Sequence, residues 1–379
     1  MSETSPIRIL HLIAGLNIGG AEQNLSDLVI RMDRQTFQNR VVSMTGNGPI
    51  GDKITGHGIP VATLNMRKGW PDPRGILRLF RIIRTFRPDI LQTWMYHANL
   101  LGLVFAPGRR LIWSLLCSDL DFKSYGWIYR LTVQAGAYCS KIPHAVIVNS
   151  LAGKITHSDL GYRPRTWEII LNGFDTGMIK PDPVARSAIR RELHIPPHAV
   201  AIGLIARLDP MKDHRNFFQA AHIVLASHPD VHFILAGRGV DLTNPAIKSL
   251  IQGTAFTDHF HLLGERKDIP SILAALDISV SSSISEGLPT AIGESMAAGL
   301  PCVVTDVGDS GRLVADTGSV VARRDPLALA DAISRLIAAG PQFRADLGRK
   351  ARERVLTCFS MDANIKHYEN LYRSTVYHP

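Results

Sequence analysis

A chain of 379 residues, 45% of them apolar, has material for two domains of ordinary size, each with its own core. Four scattered cysteines (Cys117, Cys139, Cys302 and Cys358) form no CxxC pair and signal neither a disulfide framework nor a zinc site, which points to a reducing, cytoplasmic setting. The net charge of +9 is lopsided: residues 1–175 hold 20 Lys and Arg against 12 Asp and Glu, and the remainder 22 against 21. A basic excess confined to one half is expected to meet something anionic, whether nucleic acid, a lipid surface or a phosphorylated substrate.

The opening stretch MSETSPIRILHLIAGL lacks a basic region ahead of a long apolar segment, so no signal peptide is expected. Nor does any run of about eighteen apolar residues mark a membrane span. Strands are expected at 8–13, 40–44, 61–64, 90–92, 111–115 and 145–148, with helices such as 21–31 and 75–86 between them. The first strand ends in AGLNIGGAEQ, which is not GxGxxG, and no acidic residue follows a second strand where a dinucleotide ribose would need one. Adjacent Gly19 and Gly20 still permit close backbone approach to a ligand; a tight strand-to-helix turn is the plainer reading.

The segment RGILRLFRIIRTFRP sets Arg74, Arg78, Arg81 and Arg84 at intervals of four, three and three, among Ile76, Leu77, Phe80 and Ile83. Such a basic amphipathic helix can lie on an anionic membrane or simply cover a sheet with its charges solvated. His97 and Asn99 follow ILQTWMY at another strand end; a lone histidine there is more often a structural hydrogen-bonder than a catalyst. NGFD, PDP and IPP break the pattern over 172–197, where one short helix at 184–193 fits, and the domain boundary is expected there.

The second half repeats the alternation, with strands at 201–206, 232–236, 261–263, 278–282 and 302–305, and a last amphipathic helix over 360–374. Continuous apolar strands separated by amphipathic helices indicate parallel sheets covered on both faces, hence an α/β chain of two doubly wound, Rossmann-like domains. Ligands bind such sheets outside the carboxyl ends of the strands. At those ends stand Arg207 and Lys212 in RLDPMKD, Gly264, Glu265 and Arg266 after HLL, and SEGLPTAIGESMAAGLP, where a helix begins near Pro289. Two cations with a helix N-terminus describe a pyrophosphate site that needs no metal. Taken singly, Arg207 could be a surface salt bridge and Lys212 a solvated charge. Glu286 and Glu294, eight residues apart, could each accept hydrogen bonds from sugar or ribose hydroxyls; a helix-capping Glu286 and a buried, paired Glu294 are the alternatives.

RLDPMKD together with SEGLPTAIGESMAAGLP resembles the retaining nucleotide-sugar glycosyltransferases of family 4. GLNIGGAEQNL, LQTWMYHANLLG, NGFD and LGERKDIPSILAALDISVSSSISEGLP extend the likeness along the chain. The resemblance implies the GT-B fold, two doubly wound Rossmann-like domains facing a central cleft: an acceptor-side domain at 1–175, a nucleotide-sugar domain at 176–358, and a C-terminal helix at 359–379 crossing back to the first. It implies that Arg207 and Lys212 grip the donor diphosphate, Glu294 holds the ribose hydroxyls and Glu286 faces the donor sugar. Gly287, Leu288 and Thr290 fall on the turn against sugar and phosphate, Gly264 to Arg266 beside the nucleobase, and Gly19 and Gly20 opposite the donor phosphates. His97 matches a histidine near donor sugar and acceptor. Leu288 stands where the family usually has an aromatic residue.

The function so implied is retaining, metal-independent hexosyl transfer from a nucleoside-diphosphate sugar, with UDP the commonest expectation, in cell-surface polysaccharide or glycolipid biosynthesis. No cofactor is expected. The expected partners are that donor, a saccharide or lipid-linked acceptor, and an anionic membrane met peripherally through the Arg74–Arg84 segment. A nucleotide-sugar epimerase of the same fold is the alternative enzyme, and a non-catalytic binding protein the alternative of another class. No nucleic-acid motif or aromatic stacking series supports nucleic-acid binding.

Overall fold

The computed structural model describes residues 5–67, 72–108, 110–117, 127–251 and 257–377. Its chain divides into two units, Met1–Asn172 with Asn364–Pro379, and Gly173–Ala363.

The first unit runs β1 (Ile7–Ile13), α1 (Gly20–Arg31), β2 (Phe37–Ser43), α2 (Gly48–Gly56), β3 (Val61–Thr63), α3 (Pro73–Phe86), β4 (Ile90–Trp94), α4 (Tyr96–Leu103), β5 (Arg110–Leu115), α5 (Trp127–Cys139), β6 (Ala145–Val148), α6 (Leu151–Asp159) and β7 (Trp167–Ile169). The seven strands form one parallel sheet in the order β3-β2-β1-β4-β5-β6-β7. All five residues of β4 and all four of β6 are buried, as expected of strands covered on both faces. On one face Leu10, Leu12, Leu91, Trp113, Val146 and Val148 pack with Leu79 and Ile83 of α3, Ala98 of α4 and Val133 of α5 in a single core.

The second unit runs α7 (Pro183–Glu192), β8 (Ala201–Ile205), α8 (His214–Ser227), β9 (His232–Ala236), α9 (Pro245–Ile251), β10 (Phe260–Leu262), α10 (Ile269–Ala275), β11 (Ile278–Ser281), α11 (Thr290–Ala297), β12 (Cys302–Thr305), α12 (Ser310–Val314), β13 (Gly318–Val321), α13 (Pro326–Ala338) and α14 (Gly340–Cys358). Its parallel sheet has the order β10-β9-β8-β11-β12-β13. Asp182 and Asp325 cap α7 and α13 by accepting first-turn amides, each with a proline entering the helix behind it.

The last helix, α15 (Met361–Tyr377), gives most of its length to the first unit. Tyr368 and Tyr372 are fully buried there: Tyr368 stacks on Trp94, Tyr372 meets Phe37 edge-on, and the Tyr372 hydroxyl donates to Gln92 Oε1. His11, also fully buried, accompanies them, with its Nε2 3.0 Å from Asn39 Oδ1; burial pushes its imidazole down to about 4, so it is a neutral core residue.

Two strands, β7 and β13, lie beyond those read from the sequence, because both are short edge strands. The residues of β7 are all only partly buried and include Glu168, and β13 opens on a glycine, so neither presents an apolar run. Gly318 is required there by packing, since a Cβ would lie 2.6 Å from the Cys302 carbonyl oxygen.

Candidate functional site

In each sheet the strand order reverses between two strands, β1 and β4 in the first unit and β8 and β11 in the second, and open α/β sheets bind their ligands outside the carboxyl ends of such a pair. In the second unit, the loop after β8 carries Arg207 and Lys212, and the loop after β11 carries Glu286 to Thr290. Lys212 Nζ donates to Glu286 Oε1 at 2.5 Å, and Ser283 Oγ donates to the same oxygen at 2.6 Å. The two loops are stitched together by their main chains as well. Ile284 N donates to Met211 O, and Ser282 Oγ donates to the carbonyls of Lys212 and Asp213.

Glu286 therefore does not cap α11, the plainer of its two sequence readings. It is held from both sides at the switch point. Arg207 is 57% exposed at its side chain and pairs with Asp209 at 2.8 Å. Desolvation works to raise the Asp209 carboxyl, but the Met211 amide and the Arg207 guanidinium outweigh it and hold the group below its usual range. Asp209 thus stays anionic, starts the short turn Pro210–Lys212 and presents Lys212. Each cation engages one carboxylate; the lysine retains two further N–H donors and the guanidinium its Nη1 side.

Helix α11 starts at Thr290 with Pro289 as its cap residue, one position earlier than a proline in the first turn would stand. No side chain caps it, so its first-turn amides, at the positive end of the helix dipole, have no side-chain acceptor. The carboxyl of Glu294, one turn in, shares no hydrogen bond or ion pair with any described residue, so the paired alternative does not hold for it. Burial pushes its carboxyl up to about 7. Its neighbour Gly293 is pressed on Phe174 of the NGFD segment, where a Cβ would lie 2.0 Å from the ring. That contact sets α11 against the start of the unit. Gly287 is partly buried, Leu288 is 7% exposed and Thr290 is open to solvent.

Gly264 takes φ +64 and exchanges main-chain bonds with Val240 and Gly237, which fixes the turn after β10. Glu265 is exposed. The Arg266 guanidinium is committed to Asp268 at 2.7 Å and Glu192 at 2.8 Å, which leaves main chain, not this cation, to meet a ligand.

In the first unit the switch-point loops carry Gly19 with Gly20, and His97. Gly19 is the extended cap residue of α1, and a Cβ on it would lie 2.3 Å from a Glu22 carboxylate oxygen; at Gly20 the space is open. Met95, between β4 and α4, takes φ +70, a conformation that costs a non-glycine residue energy and turns the chain sharply into α4. His97 emerges exposed from that turn, its ring 6.4 Å from that of Tyr129 on α5, while Asn99 is buried with its carboxamide 2.7 Å from the Thr93 hydroxyl. Among the described residues no three His, Cys, Asp or Glu converge as a metal site, and no helix is long and apolar enough to cross a membrane.

Two family models match the chain, one described as Glycosyltransferase Family 4 over residues 18–177 and one as Glycosyl transferases group 1 over residues 199–339. The chain belongs to this glycosyltransferase family. An Escherichia coli UDP-Gal:alpha-D-GlcNAc-diphosphoundecaprenol alpha-1,3-galactosyltransferase is 22% identical over 98% of both chains. The lipopolysaccharide core biosynthesis mannosyltransferase LpsB of Rhizobium meliloti is 29% identical over 47% of this chain and 52% of its own. The crystal structure of Anabaena HepE in complex with UDP superposes with a TM-score of 0.83 at 23% identity, covering 97% of this chain and 100% of that one. The two Rossmann-like sheets are thus those of a GT-B glycosyltransferase.

Several groups in this glycosyltransferase's second unit escaped the sequence reading. Ser282 and Ser283 lock the loop that carries Glu286, and Thr305 Oγ1 supports it by donating to the Ser283 carbonyl at 2.6 Å. Gly308, at φ +55, lies so close to Glu286 that a Cβ would fall 2.1 Å from its carbonyl oxygen. The signal for the serines was present, a run of three hydroxyl residues, 281–283, at the carboxyl end of β11. Gly308 had none.

Proposed function

We propose that this glycosyltransferase moves a hexose from a nucleoside-diphosphate sugar, with uridine as the base, to an acceptor hydroxyl with retention at the anomeric carbon and without a metal. The observation that carries the reading is Lys212, held by Glu286 at the β8/β11 switch point beside an uncapped helix N-terminus and an unpaired, half-buried Glu294. As the bond between the anomeric carbon and the diphosphate oxygen breaks, negative charge grows on that oxygen. Lys212, Arg207 and the α11 amides are assigned to it. The acceptor oxygen bonds to the same carbon from the leaving-group side, and its proton passes to the departing phosphate oxygen, so no separate carboxylate base is needed.

In this reading Glu294 accepts the ribose hydroxyls, which would supply the partners its carboxyl lacks. Glu286 faces the sugar, with Gly287, Leu288 and Thr290 along sugar and phosphate. Leu288, buried where the family has an aromatic, shapes the pocket by packing. Gly264 to Arg266 offer main chain to the base. Gly19 and Gly20 are assigned to the donor phosphates, and His97 to positioning donor sugar and acceptor. The UDP in the HepE complexes and the UDP-galactose and diphosphoundecaprenol in the E. coli relative's name support a uridine donor and a lipid-linked saccharide acceptor in surface polysaccharide or glycolipid synthesis. The exposed arginines of α3 fit peripheral contact with an anionic membrane.

The test is a panel of nucleotide sugars screened by thermal shift, followed by NMR of the product's anomeric proton with excess chelator present. A uridine-specific shift and retained configuration are expected. No shift with any donor, inversion, or loss of turnover in chelator would sink the corresponding part, and donor conversion without acceptor would identify an epimerase.

A further inference from the structure

The helix layer α3–α4–α5 of the first unit is unusual in what it shows to solvent. The three helices contain no Asp or Glu. On α5, Trp127 is 72% exposed, Leu131 52% and Tyr138 90%. Their spacing places them within about 40° of one another around the helix axis, a single apolar stripe. The opposite side of α5, Val133 and Gly136, is the one packed on the unit, so the stripe is not a core face.

Beneath the stripe the three helices are joined into one layer. Tyr96 of α4 meets Tyr129 of α5 edge-on, and the segment after α4 joins α3 around an apolar groove of ≈ 960 Å³ that exposes Leu77, Phe80 and Val104. Arg84 and Arg87 stand on the groove's wall, and Arg74, Arg78 and Arg81 are exposed along α3. All three helices cover the same face of the sheet, because Leu79, Ile83, Ala98 and Val133 share one core cluster.

We propose that this layer is a docking surface for an anionic phospholipid bilayer. The α5 stripe enters the boundary between headgroups and acyl chains, and the α3 arginines meet the lipid phosphates. The charge pattern selects this occupant: an apolar band with amphipathic Trp and Tyr rings, in a layer of helices that carry cations and no carboxylate of their own, matches the interface of an anionic leaflet. A second protein of ordinary surface composition would leave several guanidinium groups unpaired. The sequence pointed to the α3 arginines; the structure adds α5 as the inserting element and puts both in one layer. His97 stands on α4 of that layer, so docking would bring it to the membrane. This last point rests on the lipid-linked acceptor proposed above, whereas the docking itself does not.

The experiment is co-sedimentation of the full chain with vesicles of phosphatidylcholine alone and of phosphatidylcholine with phosphatidylglycerol, at low and high salt. Binding at least ten-fold stronger to the anionic vesicles, weakened by salt, is expected. Trp127→Ser with Leu131→Ser and Tyr138→Ser, and separately Arg81→Glu with Arg84→Glu, should each reduce it ten-fold or more, with the nucleotide-sugar thermal shift of the wild type retained. Equal binding to both vesicle types, or variants that bind like wild type, would overturn the proposal. So would a vesicle-free dimer that these substitutions dissociate, since the stripe would then be a self-association face. Failure of the donor reading would show as a lost thermal shift with vesicle binding intact.

Discussion

Lys212 Nζ lies 2.5 Å from Glu286 Oε1 across 74 residues of sequence, a contact made by the neighbouring strands β8 and β11. The side chains are 24% and 11% exposed, so neither charge is fully hydrated and each depends on the other. Lys212→Ala should lower kcat by about 10²- to 10³-fold if the cation meets the leaving phosphate. It should also destabilise the fold, because Glu286 is left with Ser283 alone. In a double-mutant cycle with Glu286→Gln, a coupling of about 1–3 kcal/mol in denaturant melts is expected; additive losses would show that the pair is incidental.

Glu294 gives a pH prediction of definite sign. Its carboxyl, ordinarily near 4.5, is raised to about 7 by burial. Between those values the folded chain holds a proton that the unfolded chain has lost, so stability falls as pH rises through this window and the loss is complete above about 7. Glu294→Gln should remove this loss, of the order of 2–3 kcal/mol at pH 8, and leave stability near pH 4 unchanged. Thermal melts at the two pH values check it.

The same substitution should harm donor binding. Ribose hydroxyls that donate to the carboxylate favour its ionised form, so nucleotide binding near pH 7 should release a proton and weaken as pH falls. Calorimetry in buffers of different ionisation enthalpy measures that proton. Glu294→Gln should raise the donor KM about ten-fold, with the proton release abolished.

Gly308→Ala addresses the support of Glu286. The position combines φ +55 with a main-chain oxygen 2.1 Å from any Cβ, so the loop after β12 must shift and carry the Glu286 segment with it. A stability loss of about 2 kcal/mol is expected from backbone strain alone, with a larger fractional loss in kcat/KM than in folded protein. Equal Tm and kcat/KM to wild type would show that the loop yields freely.

Tyr372→Phe tests how α15 belongs to its unit. Removing the hydroxyl leaves Gln92 Oε1 without this donor in a fully buried site, which should cost about 1–3 kcal/mol. The nucleotide-sugar thermal shift should keep its size even as the baseline Tm drops.

Much of the architecture was open to sequence reading because a parallel strand buried on both faces is largely apolar. AVIV, CVVT and HFILA announce β6, β12 and β9, and the residues that interrupt such runs at their carboxyl ends mark where a ligand can sit. Arg207, Lys212 and Glu286 stand out in this way just past strand ends, and Glu294 in the helix that follows. What they do to one another was not legible. That Lys212 meets Glu286, that Ser283 shares the same oxygen, and that Glu294 is left unpaired follow from β8 lying beside β11 and from α11 seating Gly293 on Phe174. Lys212 and Glu286 stand 74 positions apart, and Gly293 and Phe174 more than a hundred. The α5 stripe shows the same limit from the other side. Helical spacing groups Trp127, Leu131 and Tyr138 on one face, but only packing decides that Val133 and Gly136 turn inward and leave those three to the solvent, since a one-dimensional pattern carries no record of which side the sheet is on.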